Sequence, residues 1–187
     1  MIDVVYDACV LHSGSLRDLV LHIAAVGLVH PYWSDKIHEE WIGSLIRRCP
    51  DVRRETLEHT RRRMDTDFKN SLTKGYEPLI STLELPDPDD RHVLAVAIYT
   101  QSSLIVTSNS EDFPKTHLQP YGIEAVSPDE FVWRLIQKKP VRVLEAVRNH
   151  RSSLNRPPKT VEEYLATLEQ QGLHKTVAFL RERKAEI

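Results

Sequence analysis

The chain has only two cysteines, Cys9 and Cys49, and they show no paired spacing. That excludes a disulfide framework and a cysteine-based structural zinc site, and both thiols read as small buried hydrophobes. Glycine is also scarce, at six residues, and no G-x-x-x-x-G-K-[ST] stretch occurs. A phosphate-cradling loop, and with it nucleotide hydrolysis, is not expected. The nine histidines are scattered, with no H-x-H, H-D or H-E-x-x-H arrangement, which argues against a histidine-based metallohydrolase. No apolar run approaches the ~18 residues of a membrane helix, and no basic-then-apolar leader opens the chain. We therefore expect no membrane association and a cytoplasmic location. Internal repeats and low-complexity tracts are missing too.

With 41% hydrophobic and 28% charged residues, the composition is that of an ordinary globular protein. The length suits one domain plus an elaboration. The formal net charge of -2 conceals a strong asymmetry along the chain. Arg47, Arg48, Arg53, Arg54, Arg61, Arg62 and Arg63 meet only Asp51, Glu55 and Glu58 in their stretch. Arg134, Lys138, Lys139, Arg142, Arg148, Arg151, Arg156 and Lys159 surround a single acid, Glu145. Basic stretches around an acidic centre suit a polyanionic ligand. Solvated helix faces are the alternative for either stretch alone.

Periodicity supplies the architecture. "IDVVYD" reads as a buried strand ending at Asp7, and "GSLRDLVLHIAAVG" as a helix stopped by Gly27. "LVHPYW" leads to Ser34 as N-cap of a helix with an apolar face of Ile37, Trp41, Ile42, Leu45 and Ile46. Glu40 sits at the edge of that face. An Arg-rich helix with a stripe of Leu57, Met64 and Phe68 follows, then an extended piece near "PLIST" and a helix from Arg91 to Thr100. "SLIVTSN" and "IEAVS" are strands separated by a turn-rich connector, and "SPDEF" opens a helix with a capping box of Ser127 and Glu130. Beyond residue 139 only helical patterns remain. These alternations predict an α/β three-layer sandwich with a central, mostly parallel sheet over residues 1–139, and a helical appendage over residues 140–187. Trp33, Trp41 and Trp133 are expected in the core.

In open parallel sheets the ligand site lies outside the carboxyl ends of the strands. Asp7 ends one strand, Asn109 and Asp112 follow another, and Asp90 opens a helix after the acidic turn "PDPDDRH". Helix capping explains one of the acids in that turn, whereas the three together also suit a divalent cation with its preference for oxygen ligands.

The stretches "VVYDACV", "SDKIHEEW", "DPDDRHVLAVAI" and "IVTSNSEDFP", in this order and spacing, resemble the PIN-domain ribonucleases, and most closely the VapC-like toxins of bacterial toxin-antitoxin pairs. The resemblance covers residues 1 to about 135. It implies Asp7, Glu40 and Asp90 as acidic ligands of Mg2+ or Mn2+, with Asp90 preferred to Asp89 because Ala97 then falls in the family's register. Asp87 and Asp89 become turn or capping residues. Where many relatives carry Asp two residues after the strand's Thr, this chain has Asn109. The branch pattern T-x-N-x-x-D-F then gives Asp112 the fourth acidic role, with Thr107 and Asn109 positioning water or metal. The implied activity is metal-dependent hydrolysis of RNA phosphodiester bonds, leaving 5'-phosphate and 3'-hydroxyl ends. The implied partners are an RNA substrate, a cognate antitoxin and a second copy of the chain. A PIN-like RNA-binding or regulatory module without catalysis is the competing expectation, motivated by Asn109. Arg61, Arg62 and Arg63 are expected to contact RNA phosphates. His38 and His92 are expected at the surface or behind the acids.

Overall fold

The computed structural model describes every residue of the chain except Arg156, so that basic position of the second stretch lies outside the described residues. The chain runs β1 (Ile2–Tyr6), α1 (Ala8–Leu11), α2 (Gly14–Ala25), β2 (Val29–Ser34), α3 (Asp35–Arg48), α4 (Arg54–Asp67), β3 (Leu72–Thr73) and α5 (Glu77–Ile80). It continues through α6 (Arg91–Tyr99), β4 (Leu104–Val106), α7 (Lys115–Leu118), β5 (Glu124–Val126) and α8 (Pro128–Lys138). The C-terminal helices are α9 (Pro140–Ser153), α10 (Val161–Gln170) and α11 (His174–Arg181).

The five strands form one parallel sheet in the order β3-β2-β1-β4-β5. β1 is central because Val4, Val5 and Tyr6 are apolar on both sides and wholly buried, as a strand covered on both faces requires. Val5 pairs with Tyr32 on β2 and with Ile105 on β4, and Val106 pairs with Val126 on β5. The chain steps from β1 outward to β2 and β3, then returns to β4 on the other side of β1. Right-handed crossovers therefore put α2 on one face and α6 on the opposite one. The reversal creates a switch point between β1 and β4, at the carboxyl ends where Asp7 and Thr107 follow their strands.

Local chemistry sets the element boundaries. Ser34 Oγ accepts the Ile37 N–H at 3.2 Å and starts α3. Gly27 ends the α2 turn at φ +74°, a left-handed conformation that favours glycine. Tyr6 fills the sheet–helix interface, donating its hydroxyl to Val20 O at 3.2 Å and meeting Phe131 edge-on.

Two sequence expectations change. "PLIST" is not extended: Pro78 occupies the first turn of α5, where its missing N–H is harmless, and the edge strand is instead Leu72–Thr73. Ser127 does cap α8, accepting the Glu130 N–H at 3.2 Å. Glu130 does not reach back, because Arg134 and Lys175 bind its carboxylate at 2.8 Å each.

The C-terminal helices pack on the sheet layers. α9 lies along α2, and Arg142 donates to Val26 O at its far end. α11 lies against α8 and α10. Val143, Val147, Leu165, Leu168, Val177 and Leu180 join the core, and a fully buried aliphatic side chain stabilises by about 1.5–3 kcal/mol. Among the described residues no helix is long and apolar enough to cross a membrane.

Candidate functional site

Asp7 sits immediately beyond β1 and is only 6% exposed. Its N–H donates to Val106 O at 3.1 Å, which continues the β1–β4 ladder and fixes the backbone. Its Oδ2 accepts from Thr107 Oγ1 at 2.8 Å and from Cys9 Sγ at 2.9 Å. The Thr107 hydroxyl in turn accepts the Asn109 N–H at 3.0 Å, and Cys9 Sγ accepts the Ser108 N–H at 3.1 Å. Thr107 and Cys9 approach to 3.3 Å. Each has one hydrogen and gives it to Asp7, so this third approach is a packing contact. The result is a carboxylate gripped from one side by two donors, each oriented by the backbone after β4.

Cys9 is not the small hydrophobe expected from the sequence. Burial, the neighbouring Asp7 charge and the bond to Asp7 push its thiol up to about 12, outweighing the Thr107 and Ser108 bonds. It therefore remains a protonated donor rather than a thiolate nucleophile or ligand. Cys49 departs from expectation in another way, being exposed at the end of α3.

The other acids converge on the same end of the sheet by different routes. Asn109 Nδ2 donates to Asp112 Oδ2 at 2.5 Å, so Asn109 orients Asp112. Asp90 closes the 3-10 turn Pro88–Asp90 at the head of α6, while Asp87 caps that turn by accepting the Asp89 N–H at 2.8 Å. Burial, followed by the charges of Asp7, Asp112 and Asp87, pushes the Asp90 carboxyl up to about 7, with His92 acting in the opposite direction. Asp7, Asp90 and Asp112 thus feel one another. Glu40 does not enter that balance; its Oε1 lies 3.0 Å from His92 Nε2 and 3.5 Å from Lys36 Nζ.

The donor chemistry fits a hard divalent ion, since these acids offer oxygen alone and repel one another without a counter-charge. Among the described residues, however, no three His, Cys, Asp or Glu side chains are gathered tightly enough to hold an ion as they stand. The acids are near enough to raise a pKa and not yet convergent.

His38 and His92 are both buried, at 0% and 4% exposure. His38 has a structural place: its Nδ1 accepts from Trp41 Nε1 at 2.9 Å and its Nε2 meets Asp65 Oδ1 at 3.1 Å, tying α3 to α4. His92 Nε2 and Glu40 are close, but the approach is out of line, and both ring nitrogens lack a hydrogen-bond partner. Of the predicted RNA contacts, Arg61 is engaged by Asp35 and Glu58. Arg62 and Arg63 are exposed and form no ion pair among the described residues. A cleft of about 740 Å3 lies between α2 and α4 and is lined by Asp18, His22, His59, Arg63, Met64 and Phe68, among others. None of the four predicted acids borders it.

Sequence reasoning missed Cys9 as a companion of Asp7, and placed His92 at the surface or behind the acids without naming its partner. Each stands two residues after a predicted ligand, Asp7 and Asp90, and that spacing was the available signal.

The family described as "PIN domain" matches residues 3–111, and the one described as "VapC50 C-terminal domain" matches residues 128–182. A Mycobacterium tuberculosis protein named "Putative ribonuclease VapC50" is 41% identical over 71 residues, a stretch covering 36% of this chain and 41% of that protein. The match thus spans less than half of that relative. No solved structure matches the chain. With a five-stranded parallel sheet and a family match over more than half its length, the chain belongs to the PIN-domain family.

Proposed function

We propose that the protein is a metal-dependent endoribonuclease and the toxin of a toxin-antitoxin pair. The observation that carries this reading is the raised Asp90 carboxyl, half-buried and facing the charges of Asp7 and Asp112 at the switch point of a parallel sheet. Clustered acids that resist ionising together are a mark of a site awaiting a cation. Asp7, Glu40, Asp90 and Asp112 would hold Mg2+ or Mn2+, and the relative's printed name, a ribonuclease, points the same way. The bound ion would supply Lewis-acid stabilisation of phosphoryl oxygens and a water of lowered pKa.

The chain's own groups do the rest. Thr107 and Cys9 hold Asp7 through its Oδ2, and Asn109 holds Asp112 through its Oδ2, which would leave the Oδ1 atoms for an ion. Asp90 carries a proton near neutrality and releases it when positive charge enters. Arg62 and Arg63, without an ion pair among the described residues, would reach RNA phosphates, while Arg61 ties α4 to Asp35 and pairs with Glu58. We further propose residues 1–139 as the nuclease unit and 140–187 as its extension, a cognate antitoxin and a second copy as partners, and a cytoplasmic setting.

Asn109, neutral where an acid is common in relatives, favours a second reading: an RNA-binding module without catalysis. One experiment separates the two. Titration of chelator-treated protein with Mn2+, beside Asp7→Asn and Asp90→Asn and followed by RNA cleavage on the same samples, should show binding and cleavage lost together. RNA binding that persists with chelator, and no cleavage at any Mn2+ concentration, would establish the second reading.

A further inference from the structure

We infer that His92 is a positioning residue that holds Glu40 toward the acidic site, an inference that rests on the metal-site reading above. His92 occupies the first turn of α6, two residues beyond Asp90, and is 4% exposed. Burial of an imidazole with neither nitrogen answered is rare and calls for a reason. Its Nε2 lies 3.0 Å from Glu40 Oε1. Glu40 stands on α3, so the contact spans the gap between the helix that follows β2 and the helix that follows the acidic turn.

The other acids supply the logic. Asp7 is gripped from behind by Thr107 and Cys9, and Asp112 by Asn109. Carboxylates that hold a metal are typically fixed by such outer donors. Glu40 has two candidates. Lys36 is 52% exposed and 3.5 Å away on the same helix, a flexible surface pair. His92 is rigid, buried and on the element that carries Asp90. With its proton on Nε2, it donates to Glu40 and sets the distance between Glu40 and Asp90. The approach is near in distance and poor in angle.

The two amide substitutions separate position from packing. Gln places its amide near the Nε2 position, Asn near Nδ1. Mn2+ titration of the full-length chain as His92→Gln, His92→Asn, Glu40→Gln and the Glu40→Gln/His92→Asn pair, with melting of each metal-free protein, tests the inference. We expect His92→Asn to weaken Mn2+ binding by about tenfold or more, His92→Gln to recover most of it, and His92→Asn to add nothing once Glu40 is Gln. Equal Mn2+ affinity of His92→Asn and the parent would overturn the inference, as would equal losses from His92→Asn with and without Glu40. A fall in melting temperature alone, with affinity kept, would make His92 a packing residue. If Asp7→Asn also binds Mn2+ like the parent, the metal reading itself fails, and the two failures are distinguishable.

Discussion

Asp90 and His150 pull the protein's stability in opposite directions along the pH scale. Asp90 is held near 7 against an ordinary value of 3.8, so the folded state binds its proton more tightly than the unfolded chain does. Its contribution to stability is fully present below 3.8 and is lost as pH rises through about 7. In metal-free protein, Asp90→Asn should therefore raise the melting temperature more at pH ~8 than at pH ~5; an equal effect at both would show that Asp90 is solvated. Divalent ion added at the higher pH should stabilise the parent and not the variant. His150 is the reverse case. It is wholly buried, with Nδ1 2.9 Å from Tyr164 Oη and the His22 ring 5.2 Å away. Burial first, then His22 and Lys159, push it down from 6.5 to about 3. The folded state refuses a proton the unfolded chain accepts, so this contribution is present above 6.5 and is lost as pH falls toward 3. Replacing His150 with Gln should flatten the fall in melting temperature between pH ~7 and ~5; an unchanged slope would locate the acid sensitivity elsewhere. Asp7 and Asp90 could be picked from the sequence because strand ends and helix starts are local signals. The pairing of His92 with Glu40 and the Ser108 N–H that orients Cys9 could not, since those partners come from other elements.

Asp129 shows how one element secures another across the fold. It lies in the first turn of α8, yet its Oδ2 accepts the Lys175 N–H at 2.8 Å and its Oδ1 the Thr176 N–H at 2.9 Å. α11 has no side-chain cap of its own at Leu173. Asp129 therefore answers the free N–H groups that a cap would normally satisfy. Asp129→Ala should cost about 1 kcal/mol, the size of a lost N-cap, and lower the melting temperature by roughly 2–4 °C. Amide exchange should quicken in His174–Arg181 while the β1–β4 core stays protected; uniform loosening would contradict a local role. By contrast, the capping box at α10 lies within one turn of sequence, and both halves form: Glu163 N–H donates to Thr160 Oγ1, and Thr160 N–H to Glu163 Oε2. The difference lies in sequence distance and in competing partners. Thr160 and Glu163 meet within one turn, whereas Glu130, equally near Ser127, is drawn off by Arg134 and Lys175, and a cap supplied from α8 depends on tertiary packing. The same reasoning covers β3, whose two residues form an edge only because Trp33 and Ser34 are there to pair with Leu72 and Thr73. Too short to alternate, such a strand carries no period.

Across the whole molecule the two basic stretches have unequal freedom, which composition alone did not reveal. In the second stretch Arg134 grips Glu124 at 2.7 and 2.8 Å and Glu130 at 2.8 Å, Arg142 meets Glu145, and Arg148 donates to Glu186 O at 2.7 and 2.9 Å. Lys159 is bound to Thr167 at 2.7 Å. These cations mainly fasten the C-terminal helices to one another and to the sheet. In the first stretch Arg47, Arg62 and Arg63 remain exposed with no ion pair among the described residues. A chain with a net charge of -2 has no general attraction for a polyanion, so the RNA affinity proposed above would come from such a local patch. Each phosphate neutralised on a single strand adds about 0.7 to the slope of log affinity against log salt. The Arg62→Gln/Arg63→Gln pair should thus lower that slope by up to about 1.4, measured with a catalytically dead Asp7→Asn background so that the RNA stays whole. Arg134→Gln should leave the slope alone and lower the melting temperature, because its loss frees Glu124 and Glu130 rather than a phosphate contact. If the slope instead fell with Arg134 and held with Arg62 and Arg63, the RNA path would run over α8 and the C-terminal helices.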